Sequence, residues 1–326
     1  MAELQLHLAA PRGYCAGVDR AVETVERALE LHGAPVYVRK QIVHNIHVVR
    51  DLETRGAIFV DDVEQIPEGG TVVFSAHGVA PTVHVDAAAR GLEVIDATCP
   101  LVTKVHNEAR RYDERGYRLL LIGHAGHEEV VGTMGEAPDA FTLVETVDDV
   151  AALPDYPADQ PLAYLTQTTL SVDETRGIIE ALRVRYPWIE SPAKEDICYA
   201  TSNRQAAVKA IAREVELVLV IGSANSSNSC RLVEVARECG AASHLIEDES
   251  EIDPAWLEGI ERVGITSGAS APERLVRAVL AWFEAHHEVR EVIEVETVHE
   301  DVAFNLPRPI RKALAVVEAD DDVVGA

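Results

Sequence analysis

Three cysteines, Cys15, Cys99 and Cys198, each stand in a short loop just ahead of an amphipathic helical pattern. They are separated by 84 and 99 residues, so they divide the chain into three stretches of similar length, each introduced by a thiol. The thiolate of cysteine is the form that binds metals and attacks electrophiles. The spacing therefore indicates one site that is assembled from three units.

Three thiolates from distant parts of a chain do not suit a structural zinc site, which typically takes four protein ligands in local pairs. They suit an iron–sulfur cluster in which one iron has no protein ligand and can act as a Lewis acid toward a substrate oxygen. The alternative, three buried loop thiols without a metal, stays open on the pattern alone. The other two cysteines, Cys230 and Cys239, lie in a helical pattern and at its end, and we expect them to behave as small apolar residues.

The composition restricts the partners and the compartment. The 326 residues include 29 Lys and Arg against 55 Asp and Glu, a formal net charge of −26. This excess of carboxylates argues against a nucleic acid or an anionic membrane as partner. The start of the chain lacks the features of a signal peptide, and no apolar run approaches the roughly 20 residues that cross a bilayer. We expect a cytoplasmic protein, in which five cysteines are not a disulfide framework.

Apolar runs of strand length alternate with amphipathic helical patterns along most of the chain, which is typical of a parallel α/β fold. The predicted strands are 4–9, 36–39, 57–60, 71–75, 92–95, 118–122, 141–144, 162–166, 216–221, 242–246, 262–266 and 289–295. We predict three similar α/β units over residues 1–97, 98–194 and 195–296, packed closely because no low-complexity linker separates them. Residues 297–326 are interpreted as an irregular C-terminal tail with a frayed end.

Polar residues gather where the predicted strands end. In open α/β sheets ligands bind beyond the carboxyl ends of the strands, where helix N-termini present free amides. Imidazoles, hydroxyls and amides occur at these positions in all three units, in segments 44–45, 76–78, 123–129, 167–169, 222–229 and 267–270. A single loop of this kind is commonly only a turn. The combination indicates one shared centre.

One of these segments combines two imidazoles with a carboxylate. His124, His127 and Glu129 follow the same predicted strand, and this set is suited to proton transfer. The helix-borne histidines His47, His84 and His106 are interpreted as structural residues.

Six segments, in this order, resemble the 4-hydroxy-3-methylbut-2-enyl diphosphate reductases, the IspH/LytB family. They read PRGYCAGVDR at 11–20, FSAHG at 74–78, DATCPLVTKVH at 96–106, GHAGHEE at 123–129, TQTTLSVD at 166–173 and DICYAT at 196–201. The resemblance extends over about residues 4–285. It implies a trefoil of three α/β domains around a central four-iron, four-sulfur cluster.

The resemblance also implies an activity. Enzymes of this family carry out the last step of the non-mevalonate isoprenoid pathway, in which the substrate hydroxyl is removed reductively to give isopentenyl and dimethylallyl diphosphates. A small ferredoxin or flavodoxin would supply the electrons. The substrate hydroxyl would bind the iron that has no protein ligand.

Residue by residue, the resemblance implies that Cys15, Cys99 and Cys198 hold the cluster. Glu129 would deliver protons, assisted by Thr168 and His127, which would also contact the substrate. The full set of residues implied for substrate binding is His44, His77, His127, Thr168, Ser226, Ser227, Asn228 and Ser270. Because this set lacks lysine and arginine, we expect histidines near their usual pKa of about 6.5 to be protonated beside the diphosphate.

The sequence departs from the family pattern at two positions. Glu128 stands where proline is common, and Lys40 stands where histidine is often found. We expect Glu128 to raise the pKa of Glu129 through like-charge repulsion.

Two other classes of function compete with this reading. A non-catalytic iron–sulfur or zinc-binding α/β protein would use the three thiols for sensing or structure and would leave Glu129 dispensable. A nucleotide-binding or hydrolytic α/β enzyme finds no support, because the sequence lacks the Gly-x-Gly-x-x-Gly, Walker and Gly-x-Ser-x-Gly patterns.

Overall fold

A computed structural model describes residues 3–324. Within this range twelve strands are present: β1 Glu3–Ala10, β2 Val36–Arg39, β3 Ala57–Val60, β4 Thr71–Phe74, β5 Glu93–Asp96, β6 Arg118–Ile122, β7 Phe141–Val144, β8 Leu162–Thr166, β9 Leu217–Ile221, β10 Ala242–Ile246, β11 Arg262–Ser267 and β12 Glu288–Glu296. Each coincides with a predicted strand to within one residue at either end. The predicted strands are therefore confirmed.

The helices fill the intervals between the strands. Over the same range they are α1 Ala16–His32, α2 Ile46–Thr54, α3 Pro81–Ala89, α4 Pro100–Glu114, α5 Glu128–Gly135, α6 Val147–Ala152, α7 Val172–Arg185, α8 Tyr199–Ala212, α9 Ser227–Glu238, α10 Glu273–His286 and α11 Arg308–Val324. No helix within the described range is long and apolar enough to cross a bilayer.

The strands of the described chain form three parallel sheets. Sheet A has the order β10-β9-β11-β1-β12, sheet B the order β3-β2-β4-β5, and sheet C the order β7-β6-β8. Every pairing between these strands is parallel. Parallel neighbours need a crossover connection, and the helices supply it. The predicted α/β architecture with parallel sheets is confirmed.

The first strand does not join the sheet that follows it in the chain. β1 lies in sheet A between β11 and β12, with Leu6 opposite Val263 on one side and Val292 on the other. The N-terminal strand of the first predicted unit thus completes the sheet of the third. The predicted boundaries near residues 97 and 194 stay a prediction, but the first unit is not closed on itself.

The C-terminal residues are more regular than the sequence suggests. The prediction of an irregular tail is wrong for residues 308–324, which form α11. Proline is tolerated in the first turn of a helix, where its missing N–H has no partner to lose, so Pro309 does not prevent the helix. Ile310 is fully buried and packs, with Leu306 and Leu314, on the core between α1 and sheet B.

The first turn of α9 packs unusually close to two strand ends. A Cβ atom built at Gly222, after β9, would lie 2.2 Å from Ser229 Oγ, and one at Gly268, after β11, would lie 2.1 Å from the same atom. Ser229 is fully buried and its hydroxyl donates a hydrogen bond to Ser226 Oγ at 3.0 Å. Only glycine at both strand ends leaves space for this hydroxyl.

The close approach of α9 predicts the effect of adding one methyl group. Gly268→Ala should destabilise the fold by about 1–3 kcal/mol, because Ser229 is enclosed and has no space to move. Gly177→Ala is the matched control, since the nearest atom to its new Cβ is 3.9 Å away and the residue lies inside α7. That variant should be neutral or more stable by up to about 1 kcal/mol. Urea denaturation measures both, and equal midpoints for the two variants would contradict the packing argument.

Candidate functional site

Each of the three cysteines caps a helix. Cys15 is the N-cap residue of α1, Cys99 of α4 and Cys198 of α8, so the predicted position of each thiol at a helix start is confirmed. The Cys198 sulfur also accepts the backbone N–H of Thr201, with Sγ and N 3.4 Å apart. Helix N-termini carry free N–H groups and a partial positive charge, which favour anionic groups.

The backbone of each cysteine is tied to the end of a strand. The N–H of Cys15 donates to Ala269 O at 3.3 Å, that of Cys99 to Ala76 O at 3.0 Å, and that of Cys198 to Thr168 O at 3.0 Å. These three carbonyl groups follow β11, β4 and β8 and so belong to the three different sheets. The site is therefore anchored in all three sheets.

The thiols converge on a small space beside Gly17. A Cβ atom built at Gly17 would lie 2.7 Å from Cys99 Sγ and 3.8 Å from Cys15 Sγ. Glycine at this position leaves room for both sulfur atoms and for what they bind. Cys198 lines the same cavity, so three thiols that are far apart in sequence are brought together.

Burial controls the charge of these thiols. It raises the pKa of Cys99 to about 12 and that of Cys198 to about 11, and the backbone N–H groups at the helix starts lower the pKa values only in part. The two thiols are neutral in the free protein, and a bound cationic centre would have to displace their protons. Over residues 3–324 no three His, Cys, Asp or Glu side chains converge closely enough for a single metal ion. Because the three thiols line one cavity with open space beside Gly17, they fit a larger sulfur-bridged cluster.

Three histidines form one wall of the cavity. The rings of His44 and His77 are stacked with centroids 4.0 Å apart. The ring of His127 meets both edge-on, at 5.5 Å and 5.8 Å. His44 and His77 come from loops after β2 and β4 of sheet B, and His127 comes from the loop after β6 of sheet C. Strand ends of two sheets thus supply one imidazole cluster.

The hydrogen bonds of two of these rings fix their orientation. His127 Nδ1 accepts the N–H of Glu129 at 3.2 Å, which places the ring proton on Nε2. His44 Nδ1 faces Gln41 Oε1 at 3.3 Å, and the same oxygen accepts a hydrogen bond from Asn225 Nδ2 at 2.8 Å. His44 therefore donates through Nδ1, while its buried Nε2 has no partner among the described residues. A buried polar atom without a partner indicates a position where a ligand binds.

The imidazoles are neutral in the free cavity. Burial lowers the pKa of His44 and of His127 to about 4, and the neighbouring His44 ring adds to the effect on His127. The pKa of His77 lies well below its usual value for the same two reasons. The expectation that these histidines are protonated concerns the state with a bound diphosphate and stays a prediction. A bound anion would raise these pKa values again.

Serine and asparagine side chains line the cavity together with the histidines. Ser270 Oγ donates to His44 O at 2.9 Å and joins sheet A to sheet B. Asn228 Oδ1 accepts the N–H of Ala269 at 2.9 Å, while its buried Nδ2 has no partner within the described chain. Ser226 is the N-cap of α9, and Ser227 is the first residue of this helix. Free donors and a helix N-terminus here favour an anion.

A single carboxyl group, that of Glu129, lines the described cavity. Glu129 Oε1 accepts the N–H of Thr168 at 2.6 Å, and Oε2 lies 3.0 Å from the Thr168 hydroxyl. Burial raises the pKa of Glu129 to about 7 against the opposing effect of these hydrogen bonds, and nearby Asp196 raises it further. At neutral pH this carboxyl group can both hold and release a proton.

The neighbouring carboxylate has a different role from the one expected. Glu128 lies 3.7 Å from Arg39 and 3.8 Å from Lys40, measured between charged atoms. It does not contribute to the raised pKa of Glu129, which comes from burial and Asp196. The expectation that Glu128 raises this pKa is wrong because its charge is turned toward two cations of sheet B.

One cavity of about 100 Å³ gathers the residues that the sequence singled out. A few tens of Å³ suffice for one water molecule, so this space admits a larger group. Its lining includes Cys15, His44, His77, Cys99, His127, Glu129, Thr168, Cys198, Ser226, Ser227, Asn228 and Ser270. His124 is the exception among the predicted proton-transfer residues, because its ring lies 3.0 Å from Arg231 outside this lining. The prediction for His124 is wrong.

Asp196 is a buried carboxylate that the sequence reading passed over. Its side chain accepts the N–H of Thr166 at 2.9 Å and faces Lys104 Nζ at 2.8 Å. Burial raises the pKa of Asp196 to about 6 although Lys104 opposes the shift. Its place two residues before Cys198, inside one of the recognised segments, was the available signal.

The remaining cysteines and histidines lie away from the cavity. Cys239 packs against the core of α8 and α9, and Cys230 Sγ faces Ala224 O at 3.2 Å. His47 contacts Asp248 at 3.1 Å and His106 contacts Glu136 at 2.8 Å. These contacts are structural.

The space beside Gly17 predicts a defect in metal retention. Gly17→Ala would place a methyl group 2.7 Å from Cys99 Sγ and force this sulfur to move. We expect about 10-fold weaker retention of iron, as for other changes that displace a metal ligand. Iron and sulfide per chain are measured after anaerobic reconstitution and a chelator challenge, with circular dichroism to establish folding. Gly177→Ala is the control, and equal retention in both variants would show that the space is not needed.

The chain matches known proteins over most of its length. A sequence model of the family described as LytB protein matches residues 6–284. A 4-hydroxy-3-methylbut-2-enyl diphosphate reductase of Mycolicibacterium paratuberculosis is 62% identical over 310 residues, which cover 94% of this chain and 92% of that protein. A protein of the same name from Corynebacterium diphtheriae is 58% identical over 309 residues, with 94% and 92% covered.

Two solved structures share the fold. The E-1-hydroxy-2-methyl-but-2-enyl-4-diphosphate reductase of Plasmodium falciparum has a TM-score of 0.94 at 36% identity and covers 98% of this chain and 100% of its own. An (E)-4-hydroxy-3-methyl-but-2-enyl diphosphate reductase, described as the terminal enzyme of the non-mevalonate pathway, has a TM-score of 0.62 at 32% identity, with 86% and 99% covered. Both have the trefoil fold, so the predicted fold is confirmed. Sequence and structure together show that the chain belongs to the LytB family.

Proposed function

We propose that the chain reduces 4-hydroxy-3-methylbut-2-enyl diphosphate to isopentenyl and dimethylallyl diphosphates. The names of the relatives support this activity. The observation that carries the proposal is the meeting of three chemistries in one cavity. Three thiols, a wall of imidazoles and free donors, and a buried carboxyl group with a pKa of about 7 line the same space.

The family uses an iron–sulfur cofactor. We infer that Cys15, Cys99 and Cys198 hold a four-iron, four-sulfur cluster through three thiolates, which leaves one iron open. Three helix N-termini and the space beside Gly17 support this assignment. When bound, such a cluster supplies electrons one at a time and a Lewis-acidic iron.

The diphosphate is assigned to the wall made by His44, His77, His127, Ser226, Ser227, Asn228 and Ser270. The unpartnered Asn228 Nδ2 can donate to a phosphate oxygen, and the unpartnered His44 Nε2 can do so once it is protonated. The N-terminus of α9 adds free amides. Among the described residues no lysine or arginine lines the cavity. The bound anion should therefore raise the pKa values of the imidazoles, which then take up protons from solution.

Glu129 is assigned as the proton donor. The overall reaction consumes two electrons and two protons, breaks the C–O bond and releases water. One proton goes to the departing oxygen, and the second goes to either end of the allylic unit, which accounts for two products. Glu129 at a pKa of about 7 can give a proton to the oxygen, and the Thr168 hydroxyl, 3.0 Å from its carboxylate, can pass it on.

The reaction consumes two electrons, so it also needs an electron donor. We propose a ferredoxin or flavodoxin as this donor and a cytoplasmic location, as the family resemblance implies. The competing function is a non-catalytic iron–sulfur or zinc-binding protein. It would leave Glu129 dispensable and would need no anion site.

Glu129→Gln tests the assignment of the proton donor. The amide keeps the shape of the side chain but cannot release a proton, so kcat should fall by about 10²–10⁴-fold while iron content stays the same. In the wild type the rate should fall as the pH rises through about 7, because Glu129 loses its proton there. Anaerobic assays with an artificial reductant measure both effects.

Glu128→Gln is the matched control, because this carboxylate is turned to Arg39 and Lys40. This variant should have the same rate and the same pH profile as the wild type. Full activity in Glu129→Gln would remove Glu129 from the mechanism and favour the non-catalytic alternative.

Proton uptake tests the anion site. The three imidazoles are neutral in the free cavity, so a bound diphosphate that raises their pKa values should draw protons from the buffer at pH 7. Calorimetry in two buffers of different ionisation enthalpy measures this uptake, and affinity should weaken as the pH rises. His77→Ala should bind about 10–100-fold more weakly, the loss of a charged hydrogen bond, with smaller proton uptake. His124→Gln, outside the cavity, is the control, and unchanged affinity in His77→Ala would refute the assignment.

A further inference from the structure

The three helices that begin at the cysteines share another feature. Arg20 in α1, Lys104 in α4 and Arg204 in α8 each follow the capping cysteine of their helix by five or six residues. Each of these cations donates hydrogen bonds to backbone carbonyl groups in a distant part of the chain, and Arg204 also donates to Ala200 O of its own helix. The three targets are related to one another.

Arg20 reaches the second cysteine loop. Its Nη1 donates to Ala97 O at 2.9 Å and to Thr98 O at 3.0 Å, the two carbonyl groups directly before Cys99. Its Nε donates to Asn305 O at 2.8 Å. Arg20 thus joins the helix that starts at the first thiol to the loop that carries the second.

Lys104 makes the corresponding link to the third loop. Its Nζ donates to Lys194 O at 2.6 Å and to Glu195 O at 3.1 Å, and it pairs with Asp196 Oδ1 at 2.8 Å. These residues lie directly ahead of Cys198. The side chain of Asp196 is fully buried in this contact.

Arg204 closes the circle at the first loop. Its Nη2 donates to Gly13 O at 2.7 Å and to Tyr14 O at 3.2 Å, directly before Cys15. Arg204 is fully buried, and its charge is balanced by Glu300 at 3.1 Å. A buried arginine is retained only where its donors are satisfied, and here carbonyl groups and one carboxylate satisfy them.

The three links run in one direction around the site, from the first loop to the second, from the second to the third and from the third back to the first. We propose that Arg20, Lys104 and Arg204 form a closed ring of positioning residues that holds the three cysteine loops at the spacing which the cofactor requires. This inference rests on the proposed function. Hydrogen bonds from a charged donor are stronger than neutral ones. Each cysteine loop accepts hydrogen bonds from one of these cations, and the helix that follows the loop carries another.

Closure has a consequence that three separate contacts would not have. Loss of one cation frees the loop that it holds and also loosens its own helix start, so two of the three thiols lose their position. Loss of a second cation should then weaken iron retention little further. If the three contacts were independent, the fold-losses of iron retention would multiply.

Lys104 is the best residue for a test, because its side chain is 26% exposed and only two buried carboxylates, Asp196 and Glu108, face it. Lys104→Met keeps an unbranched side chain that is one atom shorter and has no donors, and Lys104→Arg restores a charged donor. Lys209→Met is the matched control, since Lys209 is 31% exposed in α8 and pairs with Asp173 away from the cysteine loops.

Two measurements on the full chain are compared. After anaerobic reconstitution, Lys104→Met should retain iron about 10-fold more weakly in a chelator challenge, in line with changes to groups that support metal ligands. The visible absorption of the cluster should decay in parallel. Without iron, amide hydrogen exchange of segments 96–99 and 194–198 should be faster than in the wild type. Lys104→Arg should recover both properties, and Lys209→Met should resemble the wild type.

Arg20→Met combined with Lys104→Met tests closure. A loss of retention in the double variant close to that of either single variant supports the ring, and a loss equal to the product of the single effects overturns it. Wild-type-like retention and exchange in Lys104→Met also overturn it. A wild type that binds no iron would refute the proposed function, while the exchange measurement would still decide on the ring.

Discussion

The structure depends on the three places where the chain passes from one sheet to the next. Cys15 lies between β1 of sheet A and α1, which packs on sheet B. Cys99 lies between β5 of sheet B and α4, which packs on sheet C, and Cys198 lies ahead of α8, which returns to sheet A. Because each passage meets the other two at the centre, the cysteines are brought together by the topology itself. A cofactor bound there would join all three sheets.

Burial at this centre shifts several of its ionisable groups toward their uncharged forms. It raises the pKa of Cys99, Cys198 and Glu129 and lowers that of His44 and His127, all toward the neutral form at pH 7. A chain with a net charge of −26 therefore encloses a cavity that contributes little charge of its own. The ligands supply the charge, so an anionic substrate and a metal centre would each set the protonation of the residues around them.

The sequence predicted the strands and the cavity residues well, because both follow from local patterns. Strand periodicity and the polar residues at strand ends depend on near neighbours in the chain. Prediction from the sequence failed where contacts between distant parts of the chain determine the structure. The α11 helix forms because Ile310 finds a buried site on α1, His124 turns to Arg231, and β1 joins sheet A. The lowered pKa values of the histidines in the free cavity could not be predicted either, because burial cannot be read from residue types.

Lys40 and Glu128, the two departures from the family pattern, form another tertiary contact that the sequence did not predict. Lys40 and Glu128 are 88 residues apart in sequence, yet Lys40 Nζ lies 3.8 Å from Glu128 Oε1, between the loops after β2 and β6. Both side chains are 25–30% exposed, so the pair contributes at most about 1 kcal/mol to stability. Its effect is on position: Glu128 is held toward sheet B, away from the carboxylate of Glu129. Each charge also has a second partner, since Lys40 lies 3.1 Å from Asp61 and Glu128 lies 3.7 Å from Arg39. The two departures therefore join one charge network on the side of sheet B, and the pKa of Glu129 is left to be controlled by burial and Asp196.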